Sequence, residues 1–423
     1  MSKNREGGHW LAGRPDVDDR IRRRVESAYL QRDGLPDHGD MHTWVSETFE
    51  IDLRSEYAGL AIANPWGKAS GQLSMTSHQV SEDVAAGLGF VVLKTVIAQS
   101  GDGQQSMSEW AIRESRMAVE SIRSAHNEPG WTVSWKGRGW WDSFDAYLEL
   151  VRSSRRLAEG RDTLIVPSVK YHLPGEGESG WLVSEYEYTT RAIANAWRRG
   201  DAEIAMPLEK DFSPTLAGND RSQARDRVVA WMRKVPELVH GAVEGQRVLI
   251  GLKIFNALFD DDFQLELLES VMDARGDSRA DFVVYGNRLF DPEREFDGHR
   301  GVAFGGPDLS DRNLRVLSRA YQRRGVPPLP VSATGNILCG RMAMEYALRG
   351  ASSFQLHTGF QLPSECYRRV SGSRTEKTLH ELYLHPEEGL VVWLVHVADR
   401  LGMRGGPIRF RDVVGQGPVA ERA

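Results

Sequence analysis

Short apolar segments alternate with longer amphipathic segments from about residue 60 to residue 360 of this chain. The short segments have the length of buried β-strands, and the longer ones repeat apolar residues with the period of an α-helix. Candidate strands lie at residues 66–70, 90–94, 163–168, 202–206, 247–253, 281–286, 329–333 and 353–356. Candidate helices lie at residues 77–88, 142–159, 184–199, 222–243, 261–275, 311–324 and 340–349. Eight strands joined by helical crossovers predict an α/β fold of the (β/α)8 type, the TIM barrel.

A doubly wound parallel sheet is the main alternative to the barrel. The first strand-to-helix turn of that fold usually carries the pattern G-x-G-x-x-G, which is missing from the corresponding turn here. The barrel prediction divides the chain into an N-terminal extension (1–50), the barrel (51–362) and a C-terminal helix and tail (363–423).

Residues 98–141 form an insertion after the second predicted strand, and this insertion is too long for an ordinary connection. It contains the tryptophans Trp110, Trp131, Trp135, Trp140 and Trp141. Because aromatic residues at this density favour a packed element, we predict that the insertion is a lid or a binding element of the barrel.

The composition disfavours several classes of protein. No apolar run approaches the roughly 18 residues of a membrane span, and the N-terminus lacks the apolar stretch of a signal peptide. We therefore expect a cytoplasmic protein that does not contact membranes. A net charge of −6 disfavours nucleic-acid binding, and two cysteines are too few for a disulfide framework or an iron–sulfur cluster. We also expect no metal site.

Glycine-containing segments follow the last two predicted strands. In VSATGNI (331–337), Gly335 and Asn336 follow the predicted strand. In SFQLHTGF (353–360), Thr358 and Gly359 follow the predicted strand. Glycine allows backbone N–H groups to approach an anion closely, and the loops after strands seven and eight of such barrels commonly bind phosphate. Together the two segments predict a phosphate site, although each alone could be an ordinary turn.

Seven motifs, in this order, resemble those of the dihydroorotate dehydrogenases and their dihydropyrimidine dehydrogenase relatives, which are FMN-binding barrels. The motifs are GLAIANPWGKASG (59–71), GFVVLKTV (89–96), VLIGLKI (248–254), DFVVYGN (281–287), GVAFGGPDLS (301–310), SATGNI (332–337) and FQLHTGF (354–360). The resemblance covers about residues 52–362. It implies an oxidoreductase that acts on CH–CH bonds by hydride transfer between flavin N5 and a small organic substrate.

The resemblance also implies which residues bind the FMN cofactor. They are Ala69, Ser70, Gly71, Lys94, Thr95, Lys253, Gly305, Gly306, Gly335, Asn336, Thr358 and Gly359. Lys94 and Lys253 would reach the flavin ring or the ribityl oxygens, and the later glycines would hold the phosphate. A lysine at the end of a buried strand is costly without a partner, and near the flavin it would stabilise the reduced ring. Both lysines could instead extend their ammonium groups to solvent.

The predicted substrate site departs from that of the family. The family's fourth strand ends in Asn-x-Ser-Cys/Ser-Pro-Asn, whose Cys or Ser is the catalytic base, whereas residues 202–214 read AEIAMPLEKDFSP. Ala205 takes the place of the first Asn, and Asn287 is the remaining amide. Trp140 and Trp141 replace a further Asn-bearing loop, so we expect them in the substrate site. A specialised biosynthetic substrate that is larger, flatter or more apolar than orotate fits these changes.

Three residues are candidates for the missing acid or base. Glu209 and Lys210, with Asp211 beside them, are predicted on a loop after the fourth strand, and His172 follows the third strand. A partly desolvated carboxylate, lysine or histidine can titrate near neutrality, although each of these residues could equally be exposed to solvent.

Two other functions remain open at this point. One is an authentic dihydroorotate or dihydropyrimidine dehydrogenase with a divergent catalytic loop. The other is a flavin-binding scaffold that has lost its redox role. The expected partner is a small-molecule substrate, and a homodimer is the default oligomer.

Overall fold

The computed structural model describes residues 8–31, 40–113, 117–135, 139–178, 180–198, 204–212, 224–243, 247–296, 298–403 and 406–419. The α-helices of these residues are α1 (Asp19–Tyr29), α2 (Met41–Phe49), α3 (Ser77–Ala85), α4 (Phe144–Leu157), α5 (Val183–Arg198), α6 (Arg225–Ala242), α7 (Asp261–Met272), α8 (Pro307–Arg324), α9 (Gly340–Leu348), α10 (Arg374–Leu384), α11 (Leu390–Arg400) and α12 (Phe410–Val413). None of these helices is long and apolar enough to cross a membrane.

The β-strands of the same residues are mostly short. They are β1 (Ile51–Asp52), β2 (Ser55–Tyr57), β3 (Leu60–Ile62), β4 (Trp66–Lys68), β5 (Phe90–Val92), β6 (Val96–Ile97), β7 (Met117–Arg123), β8 (Pro129–Trp135), β9 (Leu164–Val166), β10 (Ser168–Lys170), β11 (Met206–Asp211), β12 (Val248–Lys253), β13 (Phe282–Tyr285), β14 (Leu289–Phe296), β15 (His299–Phe304), β16 (Val331–Thr334), β17 (Ala351–Leu356) and β18 (Ile408–Arg409).

A ten-stranded parallel sheet is the centre of this mixed α/β fold. Its strand order is β6-β10-β11-β12-β13-β16-β17-β4-β5-β9. Strands β5 and β6 follow each other in the chain, and β9 and β10 are separated by Pro167 alone. The two edges of the sheet therefore come from the same two segments of the chain, which requires the sheet to curl.

Two apolar clusters lie on the two faces of this sheet. The larger one packs the sheet against the surrounding helices, as when α4 buries Phe144, Tyr147 and Val151. The smaller one lies on the other face of the curled sheet and includes Phe90 and Phe282. Strands β2 and β3 form an antiparallel hairpin, whose Tyr57 joins the smaller cluster with its ring 4.4 Å from that of Phe90.

The fourth predicted strand was placed wrongly. Predicted at 202–206, it is observed as Met206–Asp211, and residues 202–203 lie outside the part of the chain that the structure describes. Glu209, Lys210 and Asp211 therefore belong to a buried strand and not to the solvated loop that we expected. The three charged residues resembled a loop because their burial depends on partners far away in the sequence.

Two hairpins lie next to each other beside the sheet. Strands β7 and β8 form the first hairpin, within the tryptophan-rich insertion, and β14 and β15 form the second, which the sequence did not predict. The backbone N–H of Gly305, just after β15, donates a hydrogen bond of 2.9 Å to the hydroxyl of Thr132 on β8. The insertion is therefore packed in part as a hairpin, as its aromatic residues indicated.

Candidate functional site

A cavity of about 350 Å³ lies at the carboxyl ends of the parallel strands. Ligand sites of small molecules commonly have this size, and in parallel α/β folds they lie at this edge of the sheet. Its lining residues are Ala69, Ser70, Lys94, Thr95, Ile112, Trp131, Asp211, Lys253, Phe255, Asn287, Arg288, Phe290, Phe296, Gly301, Val302, Ala303, Gly305, Gly306, Leu309, Thr334, Gly335, Asn336, Ile337, Leu338, Gln355, Leu356, His357 and Thr358.

The residues predicted to bind a cofactor line this cavity, with the exceptions of Gly71 and Gly359. Gly71 packs against His357, and a Cβ atom on Gly71 would lie 2.5 Å from the imidazole Nε2 atom. The Gly359 carbonyl accepts hydrogen bonds from the Tyr367 hydroxyl at 2.6 Å and from the Thr378 hydroxyl at 3.0 Å. Both glycines thus support neighbouring segments of the cavity wall.

One side of the cavity is formed by Gly305, Gly306, Gly335, Asn336 and Thr358, which we call the glycine rim. Gly306 has a φ of +94° and precedes the first turn of the long helix α8. Gly335 and Asn336, after β16, have φ values of +111° and +54°. Helix N-termini and glycine-containing turns present N–H groups to anions, so the rim is suited to a phosphate.

Gly335 has no space for a larger side chain. A Cβ atom there would lie 2.7 Å from Nδ2 of Asn313 and 2.9 Å from the carbonyl oxygen of Gly286. Asn313, on α8, donates hydrogen bonds to that carbonyl and to the carbonyl of Thr334. Asn336 donates a hydrogen bond of 3.0 Å to the hydroxyl of Ser310. These contacts fasten the turn after β16 to the first turns of α8.

Lys94, at the end of β5, lines the cavity and is only 3 % exposed. Burial lowers the pKa of Lys94 to about 8, although the nearby carboxylate of Asp211 raises it. The positive charges of Lys253 and Lys170 lower it further. The ammonium of Lys94 is therefore held at an energetic cost that a bound anion would reduce.

Arg288 and Lys253 add positive charge to the same cavity. Burial lowers the pKa of Arg288 to about 9, and the neighbouring Arg294 contributes to this shift. Lys253, at the end of β12, donates a hydrogen bond of 3.0 Å to Oε1 of Gln355. Among the described lining residues, Asp211 is the one carboxylate. The cavity therefore carries excess positive charge in a protein whose net charge is −6.

A chain of hydroxyl groups connects Asp211 with Ser70, and both residues line the cavity. Ser70 and Thr95 share a hydrogen bond of 2.8 Å, and Thr95 shares another of 3.0 Å with Ser168. The Thr95 hydroxyl also lies 3.4 Å from Oδ2 of Asp211, to which it donates. Sequence analysis named Asp211 beside Glu209 and Lys210 on a predicted loop, but nominated only Glu209, Lys210 and His172 as the acid or base. Side chains two residues apart on a β-strand lie on the same face. With the strand correctly placed at Met206–Asp211, this rule would have predicted that Glu209 and Asp211 share one face of the sheet.

The three nominated acid or base residues do not line the cavity. Glu209 is fully buried in the interior of the sheet. Lys210 points to the other face, where it donates hydrogen bonds to the carbonyls of Tyr171 and Asp211, and burial holds its pKa far below the usual range. The Nε2 atom of His172 is 3.2 Å from a carboxylate oxygen of Glu178.

The predicted substrate residues divide in the same way. Asn287 lines the cavity, whereas Trp140 and Trp141 do not. Trp140 is buried in the core, where its indole N–H donates to the carbonyl of Ser143. Trp141 is 38 % exposed, and its ring contacts the guanidinium of Arg113.

The aromatic residues that do line the cavity come mostly from the two hairpins. Trp131 lies on β8, and Phe290 and Phe296 lie on β14. The insertion thus contributes a tryptophan to the cavity, as expected, but a different one. The alternation of side chains between the two faces of β8 could have distinguished Trp131 from the other tryptophans of the insertion. That would have required knowing that β8 pairs with β7.

No protein-family model matches this chain, and the comparison with curated proteins gave no match either. The resemblance described from the motifs therefore remains an expectation.

Proposed function

We propose that this chain is an FMN-dependent oxidoreductase on a closed (β/α)8 barrel, which transfers hydride between flavin N5 and a small organic substrate. The observation that carries the proposal is the convergence of the glycine rim and of two strand-end lysines, Lys94 and Lys253, on one cavity. A cofactor with a phosphate at one end and a redox-active ring at the other fits such a cavity.

Support for the closed barrel comes from the strand pairing. Strand β17 pairs with β4, β4 with β5, and β5 with β9. On the other side, β6 pairs with β10, and β10 with β11. If β5 and β6 are counted as one interrupted strand, and β9 and β10 as another, the order returns to its starting point after eight strands.

Support for FMN comes from the charge and shape of the cavity. Lys94, Lys253 and Arg288 oppose the single lining carboxylate, Asp211, among the residues described, so an anionic ligand is favoured. The close packing of Gly335 against Asn313 and the Gly286 carbonyl fixes the turn after β16 that forms part of the glycine rim. The aromatic side chains of the hairpins give the cavity an apolar surface beside the glycine rim, which suits a flat organic substrate.

The bound flavin would supply the site that accepts or gives a hydride. The chain itself would then have to move one proton at the neighbouring substrate atom. Asp211 lines the cavity, and the Thr95 hydroxyl that donates to its Oδ2 atom holds this carboxylate in place. We therefore assign the proton transfer to Asp211 in preference to Glu209, Lys210 or His172.

The visible spectrum of the purified protein tests the cofactor. We expect flavin absorption bands, and heat denaturation should release FMN that mass spectrometry can identify. A colourless protein that does not bind added FMN would exclude the proposal. Photoreduction followed by reoxidation with added acceptors separates an oxidoreductase from a flavin-binding scaffold.

A pair of variants tests the contact with Lys253. Lys253→Met should weaken FMN binding about tenfold or more, because a hydrogen bond or contact to a charged group is lost. Lys68→Met is the matched control. Lys68 is also a buried lysine and pairs with the buried carboxylate of Asp83, but Lys68 does not line the cavity. Equal FMN affinity in the two variants would contradict a specific role for Lys253.

A further inference from the structure

Glu209 lies beneath the cavity in a closed arrangement of polar side chains. Its Oε1 atom accepts hydrogen bonds from the hydroxyl of Tyr57 and from Nε2 of Gln355. Its Oε2 atom is 3.7 Å from the ammonium nitrogen of Lys253. Lys253 in turn donates to Oε1 of Gln355 at 3.0 Å. Glu209, Gln355 and Lys253 thus form a ring of three side chains, which we call the buried ring.

The orientation of the Gln355 amide follows from the charges of its neighbours. Its oxygen faces the ammonium group, and its nitrogen faces the carboxylate. The opposite orientation would place the amide NH2 group against the ammonium of Lys253 and the amide oxygen against the carboxylate of Glu209. Electrostatics therefore fix the amide, and the fixed amide holds both charges in place.

The buried ring contacts the cavity through two of its members only. Lys253 and Gln355 line the cavity, whereas Glu209 is fully buried and does not. Burial raises the pKa of Glu209, and the positive charge of Lys253 acts in the opposite direction. Glu209 can influence a ligand through Lys253 and Gln355, but it cannot exchange a proton with that ligand directly.

We propose that Glu209 is a positioning residue, which holds the Lys253 ammonium at the base of the cavity and balances the charge that the cavity presents to its redox-active ligand. This inference rests on the proposed function, because it assumes that the ligand is a flavin. An ammonium group near the flavin stabilises the reduced form, and a carboxylate behind that ammonium weakens this effect. Glu209 would therefore set the reduction potential of the site without touching the flavin.

Glu209→Gln tests this inference, because the substitution removes the negative charge and preserves the shape of the side chain. At a fixed potential near the midpoint, we expect the ratio of reduced to oxidised flavin to rise about tenfold, which is about 30 mV for a two-electron couple. Tyr57→Phe keeps both charges and removes one hydrogen-bond donor to Glu209, so its shift in reduction potential should be smaller. Because this change is milder, Tyr57→Phe should fold even if Glu209→Gln does not. Asp83→Asn disrupts the buried Lys68 ion pair outside the cavity and should leave the potential unchanged.

A second measurement does not require flavin. Acetic anhydride should acetylate Lys253 of the flavin-free protein about tenfold faster in Glu209→Gln than in the wild type, because the ammonium has lost its carboxylate. Peptide mass spectrometry gives the rate for each lysine, and Lys68 is the internal reference. A potential or a labelling rate of Lys253 that Glu209→Gln leaves unchanged would overturn the inference. Failure of every variant and of the wild type to bind FMN, with faster labelling of Lys253, would instead refute the proposed cofactor and keep the positioning role.

Discussion

Replacing Lys94 by methionine should stabilise the unliganded protein and weaken its affinity for FMN. Lys94 is buried at the end of β5 and lines the cavity. Methionine has a similar length and no charge, so the substitution removes the ammonium group with little change in packing. The two effects have opposite signs because the buried charge is unfavourable in the folded chain and favourable for an anionic ligand.

The magnitude follows from the pKa of Lys94. Burial lowers this pKa from 10.5 to about 8, although Asp211 raises it. At about 1.36 kcal/mol for each pKa unit, the difference corresponds to about 3 kcal/mol. Between about pH 8 and about pH 10.5 the unfolded chain binds more protons at this residue than the folded chain. The free energy of unfolding of the wild type should therefore rise with pH across this range, and below it the charged lysine carries its full cost.

Urea unfolding of the flavin-free protein near pH 7 measures this effect. We expect Lys94→Met to raise the free energy of unfolding by about 2 to 3 kcal/mol, whereas Lys94→Arg keeps the charge and should give no such gain. FMN titration of the same variants should show weaker binding to Lys94→Met than to Lys94→Arg. A Lys94→Met protein that unfolds at the same or lower urea concentration, with an unchanged m-value, would refute the reasoning.

Two further predictions concern the segments around the site. Burial alone would lower the pKa of His9, but hydrogen bonds to Asp311 and Glu345 raise this pKa to about 9. The free energy of unfolding of the wild type should therefore fall by about 3 kcal/mol as the pH rises from about 6.5 to about 9. His9→Gln should abolish this loss in urea unfolding measured across that range, and an unchanged pH dependence would contradict the assignment. Gly335→Ala should lower the free energy of unfolding by about 1 to 3 kcal/mol more than Gly402→Ala does. Both glycines have a positive φ, but of the two only Gly335 has atoms within 3 Å of the added Cβ atom. Equal urea midpoints for the two alanine variants would mean that the close approach at Gly335 is unimportant.

Local patterns in the sequence predicted the parts of the site that depend on neighbouring residues. A strand followed by a glycine is visible within a few residues, and Gly335 and Thr358 indeed line one cavity. Lys253 was nominated from the resemblance of VLIGLKI to a family motif, with its position at the end of an apolar strand as support, and it lines the cavity in the structure. Such features need only the strand and its end, so they can be identified without tertiary contacts.

Long-range contacts explain what sequence analysis missed. Glu209 is buried because Tyr57 and Gln355, 152 and 146 residues away, bond to the same oxygen. Nothing near Glu209 in the sequence announces these partners, and a charged triplet is usually a loop. The β14–β15 hairpin was missed for a related reason: LFDPEREF contains a proline and several charges, and its strand character depends on pairing with β15.

The charged groups of the cavity favour an anionic ligand over a neutral one. Lys94 and Arg288 both have pKa values lowered by burial, so the folded chain keeps two unfavourable cations at one place. Glu209 offsets part of the charge of Lys253 from outside the cavity, and Asp211 is the one described lining carboxylate that opposes Lys94 and Arg288. A neutral ligand would offset these charges less than an anion does, and it would raise their cost by excluding water. An anionic ligand would lower that cost on binding, so the residues that destabilise the unliganded chain would provide affinity for the phosphate of the proposed cofactor.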